Sequence, residues 1–294
     1  MSLFLRRYSK LGEKFDPSTI ELKDSLRVNE LKIKEEKLVS RLRKNDVKLV
    51  KVPFLNKGYF WEAEFSLGST PEYLMGYYYL QEAASQLPAQ VLKPESGEKV
   101  LDMAAAPGGK TTQLAGYMDN EGVIIALDNN LSRLESVRNN IERLGVKNVI
   151  TYKKDARFVS DFDIEFDKVL LDAPCSGNFT NDKDWFQKRD LRGIQERALL
   201  QKELLKEAVK VLKKNSVLVY STCTLEPEEN ELNIDWLLKK YPGLELERVD
   251  VEVGDPGLVE VFGKKLDLSI SKCRRLWPHK TGTQGFFIAK IRKC

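Results

Sequence analysis

From Glu98 onward, short runs of β-branched and leucine residues alternate with stretches of helical spacing, and this rhythm constrains the fold more than any other feature of the chain. Strands are expected at residues 99–103, 123–128, 149–152, 168–172 and 217–221, with helices at 110–118, 131–144, 194–212 and 227–240. Such alternation predicts a parallel sheet with helices on both faces, because a parallel crossover needs a helix to return the chain. The tail GFFIAKIRK, residues 285–293, reads as a final antiparallel edge strand. In open α/β sheets ligands gather at the carboxyl ends of the strands. The residues of chemical interest fall there: Asp102, Asp128, Asp155, Asp172 with Pro174 and Cys175, and Thr222 with Cys223.

Ahead of this body, residues 1–53 read as a helix (3–11), a strand (26–29), a helix (35–44) and a strand (47–52) stopped by Pro53. Thr70 as cap, Pro71 at the first helical position and Glu72 in the first turn start a helix expected to continue to about residue 87. The organisation expected is a small N-terminal α/β extension over residues 1–70 and a catalytic domain over 71–294.

Composition excludes several classes. With 294 residues, 42% hydrophobic and 31% charged, the chain should form a globular protein. No apolar run approaches the roughly 18 residues of a membrane helix, and the opening MSLFLRRYSK is too short in apolar residues for a signal peptide. A cytoplasmic, reducing compartment is the default expectation, with no membrane partner. The four cysteines show no paired spacing and His279 is the single histidine, so no metal site is expected. The net charge of +4 is uneven: residues 1–53 hold 14 Lys/Arg against 8 Asp/Glu, residues 271–294 hold 7 against none, and the body between is acidic. Two basic ends brought together would suit a polyanion; the alternative is ordinary solvated surface.

Three elements carry chemistry. The loop Ala104-Ala105-Ala106-Pro107-Gly108-Gly109-Lys110 follows the first strand of the body, and its small residues let a ligand approach the backbone at a helix start. It has neither the GxxxxGK[ST] nor the GxGxxG spacing, which disfavours nucleotide phosphate or dinucleotide binding. Asp128, ending the second strand, could accept both ribose hydroxyls of an adenosine cofactor or simply cap the next helix. Arg133 could meet a cofactor carboxylate, pair with Asp128 or lie solvated, and Asp155 sits where an adenine amino group could be read. Cys175 and Cys223 each follow the end of an apolar strand in polar surroundings (DAPCSG and STCT), where a working thiol sits, although free cysteines are commonly small core residues. A sulfur nucleophile aimed at an electrophilic ring carbon needs no histidine, which fits pyrimidine chemistry.

Together, DMAAAPGGKTTQLA, LDNNLSRL, DAR, LDAPCSG and STCTLEPEENE resemble the Nop/Sun, or RsmB-type, RNA cytosine-5 methyltransferases, and the opening LRVNELKI and closing RLWPHKTGTQGFFIAKIRK extend the resemblance over nearly the whole chain. It implies a class I, Rossmann-like methyltransferase fold and S-adenosylmethionine held by Ala104 to Lys110, Asp128, Arg133, Asp155 and Asp172. It further implies Cys223 as the nucleophile on cytosine carbon 6, Cys175 as the residue aiding product release, and Asp172 and Lys110 beside the base. The RNA partner is expected to be tRNA rather than rRNA because the chain is compact, and the protein is expected to act as a monomer. A silent RNA-binding assembly factor on the same fold is the rival from another class. RNA grip would come from Arg6, Arg7 and Lys10 at one end and Lys272, Arg274, Arg275 and Lys280 at the other. Residues 178–190 (NFTNDKDWFQKRD) depart from the family's usual pattern.

Overall fold

The computed structural model describes residues 2–294. Helix α1 (Leu3–Lys10) leads to strand β1 (Ser25–Val28), helix α2 (Glu35–Lys44) and strands β2 (Lys48–Lys51) and β3 (Gly58–Glu62). A short helix α3 (Pro71–Leu74), strand β4 (Tyr78–Leu80) and helix α4 (Ala83–Leu92) follow. The four strands form an antiparallel sheet in the order β2-β3-β1-β4.

The single helix expected from Thr70 to about residue 87 is therefore two helices with a strand between them. Gly76 breaks the first at φ +73°, and a Cβ there would meet the Arg143 carbonyl oxygen at 1.9 Å. The chain then pairs Tyr78–Leu80 with β1 and restarts a helix at Glu82, whose carboxylate accepts a hydrogen bond from the Ser85 N–H. Because β4 completes the small sheet, that module extends past the boundary expected at residue 70.

The body begins with β5 (Lys99–Asp102), α5 (Gly109–Tyr117), β6 (Val123–Asp128), α6 (Leu131–Leu144), β7 (Val149–Lys153) and β8 (Phe166–Asp172). It continues through α7 (Trp185–Lys188), α8 (Leu191–Val211), β9 (Leu212–Thr222), α9 (Glu231–Lys240) and β10 (Leu244–Glu247). Strand β11 (Asp255–Pro256), the hairpin β12 (Glu260–Val261) and β13 (Lys264–Lys265), β14 (Arg274–Leu276), helix α10 (Pro278–Thr281) and β15 (Phe286–Lys293) complete the chain. Its nine-stranded sheet runs β11-β14-β15-β9-β8-β5-β6-β7, with β10 also on β15. The pairs among β5 to β9 are parallel, as the alternation predicts. The order reverses between β5 and β8, which opens a crevice at their carboxyl ends.

Strand β15 is antiparallel as expected but not an edge. It lies between β9 on one side and β14 and β10 on the other. Phe286, Phe287, Ile288 and Ala289 are all buried, so both faces of this segment need cover, which an edge position would give poorly.

The basic ends do adjoin, but much of their charge is neutralised inside the protein. Arg7 pairs with Glu226 and Glu228. Lys280 bridges Glu13 and Asp255, and His279 meets Glu13 at 3.0 Å. Arg275 is completely buried: Nε and Nη2 donate to Glu231 at 2.8 and 2.5 Å, and Nη1 donates to the Leu225 carbonyl at 2.7 Å. The RNA grip expected of Arg7 and Arg275 is thus overturned, because their guanidinium groups are used to join chain segments.

Removing one member of this pair strands the other charge in the core. Glu231→Gln should cost about 3–5 kcal/mol in urea unfolding, whereas the double change Arg275→Met/Glu231→Leu should recover most of that loss. A single variant of wild-type stability would show that the pair is not held as described.

Candidate active site

The loop after β5 is shaped by its backbone. Met103 N–H donates to the Leu170 carbonyl and Ala105 N–H to the Leu127 carbonyl, so the chain stays tied to both neighbouring strands before it turns into α5. Gly108 makes that turn at φ +103°, and a Cβ there would lie 3.2 Å from Val137 Cα. Gly109 is required small by Tyr79, whose ring edge would meet a Cβ at 3.0 Å. The glycines therefore serve close packing of the loop, while Ala104 and Ala106 face a cleft of about 760 Å³.

That cleft also receives Asp128, Arg133, Asp155, Asp172, Cys175 and Cys223, uniting most of the residues singled out from sequence. Ala105, Pro107, Gly108, Gly109 and Lys110 do not line it. Arg133 takes the pairing option: it lies 3.4 Å from an Asp128 oxygen and donates to the Ala106 carbonyl, and the other Asp128 oxygen accepts the Asn130 N–H. Asp155 caps the following turn and is gripped by Arg157. That charge-assisted contact, with the Arg157 N–H, holds its carboxyl below the usual range.

Behind the cleft wall Lys110 is neither free nor solvated. Its ammonium lies 2.7 Å from Asp172 Oδ2 and donates to Ser85 Oγ at 2.8 Å. Burial alone would lower its pKa, but the Asp172 carboxylate outweighs burial and raises it, so the lysine stays charged. Ser221 donates to the other Asp172 oxygen at 2.7 Å, fixing the carboxylate from both sides. Asp102, wholly buried at the end of β5, accepts from Thr111 Oγ1 at 2.7 Å. Burial pushes its carboxyl up to about 6, against the Thr111 hydrogen bond and with help from the Asp172 charge.

At the cleft floor the two sulfurs of Cys175 and Cys223 stand 3.1 Å apart. Their loops are fastened by one buried carboxylate. Glu229 accepts from Ser176 N–H at 3.1 Å, from Ser176 Oγ at 2.5 Å and from Gln201 Nε2 at 2.7 Å. Ser176 Oγ also meets Thr224 Oγ1 at 2.9 Å, and Asn178 Nδ2 donates to the Cys223 carbonyl at 2.7 Å. Residues 178–190 thus brace the thiols: Asn178 spans the two loops, and Trp185 Nε1 and Arg189 Nε both donate to the Ser176 carbonyl. The hydrogen bond with Cys223, followed by burial, pushes the Cys175 thiol well above its ordinary value. Ser85, Ser221, Gln201 and Glu229 were not anticipated from sequence. Glu229 lies in the acidic run EPEENE, in which Glu226, Glu229 and Glu231 are all buried.

A family model described as 16S rRNA methyltransferase RsmB/F matches residues 89–292, and one for the N-terminal domain of 16S rRNA methyltransferase RsmF matches residues 4–83. This chain belongs to the RsmB/F methyltransferase family. It is 43% identical to the tRNA (cytosine(72)-C(5))-methyltransferase of Pyrococcus horikoshii over 228 residues, 78% of this chain and 55% of that protein. It is 38% identical to the tRNA (cytosine(49)-C(5))-methyltransferase of Pyrococcus abyssi over 303 residues, covering 98% of this chain and 95% of that one. Among solved structures, NSun6 from Pyrococcus horikoshii with SFG superposes with a TM-score of 0.82 at 32% identity, covering 93% of this chain and 91% of that one. The chain spans 36 to 58% of the length of most of the curated relatives it matches, the Pyrococcus horikoshii protein among them. Among the described residues, no helix is long and apolar enough to cross a membrane, and no cluster of three or more His, Cys, Asp or Glu side chains is placed to hold a metal.

Asp102 makes stability depend on pH in a stated direction. A folded pKa near 6 against an unfolded value near 3.9 means the folded state binds the proton more tightly. Its contribution, about 3 kcal/mol at most, is therefore fully present below about pH 4 and lost as pH rises through 6. Urea unfolding of Asp102→Asn should show that decline removed between pH 4 and 7; parallel profiles for variant and wild type would refute the assignment.

Proposed function

We propose that this protein transfers a methyl group from S-adenosylmethionine to carbon 5 of cytosine in RNA, with tRNA favoured over rRNA. The observation that carries this reading is the pair of sulfurs 3.1 Å apart beside the Lys110–Asp172 ion pair, on the floor of a cleft large enough for a cofactor and a base. End-to-end similarity to a protein named as a tRNA methyltransferase supports the choice of tRNA. The family description, which names 16S rRNA, keeps rRNA as the second reading.

The residues present suit the cofactor. Carboxylates at the ends of β6 and beyond β7, Asp128 and Asp155, offer acceptors to ribose hydroxyls and an adenine amino group. Ala104 and Ala106 leave the loop backbone approachable, and Ala105, Pro107, Gly108 and Gly109 shape it from behind. Arg133 and Asp172 close the two sides. SFG, bound in the NSun6 structure, is an analogue of this cofactor. When bound, the cofactor supplies an electrophilic methyl group on a sulfonium.

Cys223, as thiolate, adds to carbon 6 of the cytosine, and the ring electron pair moves to carbon 5, which takes the methyl group. Asp172, immobilised by Lys110 and Ser221, faces the amino edge of the base as electron density builds there. Loss of the carbon 5 proton to a base then reforms the ring double bond and expels Cys223. Cys175 suits this last step for a physical reason. The leading cause of its raised pKa is the hydrogen bond with Cys223, and the charge of Cys223 adds to it. Once Cys223 is bonded to carbon both causes vanish, and Cys175 becomes easier to deprotonate. The chemistry needs both thiols reduced, which accords with a cytoplasmic setting, and every group used comes from one chain. A base in a helix cannot reach these sulfurs, so it must leave the stack at a cost of about a few kcal/mol.

Cys223→Ala should lower methyl incorporation into unmodified tRNA by at least about a thousandfold, with cofactor affinity nearly intact by calorimetry. Cys175→Ala should accumulate a protein–RNA adduct that survives denaturing electrophoresis with reductant. Full activity in the first variant, or no adduct in the second, would remove the corresponding role, and bisulfite sequencing of treated RNA would locate the methylated cytosine.

A further inference from the structure

Most basic side chains around the cleft are neutralised by a neighbouring carboxylate. Arg157 is held by Asp155 and Glu203, Arg133 by Asp128, Lys188 by Asp182 and Asp184, and Arg192 by Glu196. Arg189 and Arg197 differ: among the described residues neither forms an ion pair, and both are exposed. Both line the main cleft, and both also line a second cavity of about 400 Å³ that continues from it past Cys175 and Ser176. Arg189 is anchored by its inner nitrogen, Nε, on the Ser176 carbonyl, which leaves the two outer nitrogens of the fork free. Arg197 projects from the early turns of α8, the helix that also supplies Gln201 to the Glu229 network.

We propose that Arg189 and Arg197 bind the phosphodiester groups flanking the cytosine, so that the strand leaves the thiols along the second cavity. The proposal rests on the RNA reading and adds to it the route of the backbone and the residues that hold it. A base delivered to the two sulfurs carries its ribose and both phosphates with it, and these stay outside the pocket. On the opposite side of the cleft Arg133, Lys154 and Arg157 are already paired with Asp128, Asp161 and Asp155, which leaves none of them free for a phosphate. Beyond Cys175 the second cavity holds Arg189 and Arg197 without ion-pair partners among the described residues, and an arginine fork matches two phosphate oxygens at once. Residues 178–190, which brace the thiols from inside, thereby also place Arg189 outside.

The test uses the full chain and a short single-stranded oligoribonucleotide with one central cytosine, with affinity measured across salt concentrations. For single strands each phosphate contact contributes a slope of about −0.7 in log K against log salt. Arg189→Ala/Arg197→Ala should make the slope shallower by about 1.4, and Arg197→Ala alone by about 0.7, with cofactor affinity unchanged by calorimetry. Arg192→Ala, paired with Glu196 next door, should leave the slope as it is. Methylphosphonate linkages on both sides of the cytosine should weaken wild-type binding and have no further effect on the double variant. An unchanged slope, or a methylphosphonate penalty that adds in full to that of the double variant, would overturn the phosphate subsite. Wild-type protein that binds RNA with the predicted slope difference but transfers no methyl group would overturn the proposed reaction and not the subsite.

Discussion

The arrangement of the site depends on the Glu229 carboxylate, buried where the loops after β8 and β9 meet. It collects a backbone N–H and a hydroxyl from Ser176 and an amide from Gln201, so one side chain fastens the Cys175 loop, the Cys223 loop and helix α8 together. Burial pushes its carboxyl up in pKa while these donors oppose the shift. A buried carboxylate is costly unless its oxygens are satisfied, and here the hydrogen bonds that satisfy it are the ones that set the spacing of the sulfurs. Tyr220 and Asn233 extend the network by donating to the Glu229 carbonyl.

A second layer of buried polar contacts carries this geometry outward. Leu225, two residues past Cys223, gives its carbonyl to Arg275 of β14, while Glu226 accepts from Tyr8 and Arg7 of α1. The loop bearing Cys223 is thus held by the first helix and by strand β14. On the other side, Arg27 of β1 donates to the Gly109 carbonyl and to Thr112, so the small sheet supports the start of α5 from behind. The N-terminal module is in this sense part of the framework of the site.

The parallel sheet and its strand ends were legible in the sequence because they rest on local signals: short apolar runs, stretches of helical spacing between them, and an aspartate at the end of β5, β6 and β8. Asp128, Asp155, Asp172, Cys175 and Cys223 meet in the cleft because the topology brings all carboxyl ends to one edge. What was not legible depends on partners far away in the chain. Strand β4 looks helical until β1 is there to pair with it, and β15 looks like an edge until β14 and β10 cover it. The burial of Glu226, Glu229 and Glu231 is not legible either, since nothing local announces that Arg7, Ser176 and Arg275 will meet them. For the same reason the basic termini looked free.

The clamp between Arg7 and Glu226 joins residues 219 positions apart, and the strand carrying Arg275 comes later still. During synthesis the α1 helix must therefore wait for most of the chain to emerge before it finds its partner, and the Cys223 loop acquires its outer support only when β14 has left the ribosome. The two thiols are set side by side by β8, β9 and the Glu229 contacts, all earlier in the chain, so a nascent chain can hold the pair before its outer support has arrived. Docking of α1 and β14 is in this way the step that locks a Cys223 loop already in place.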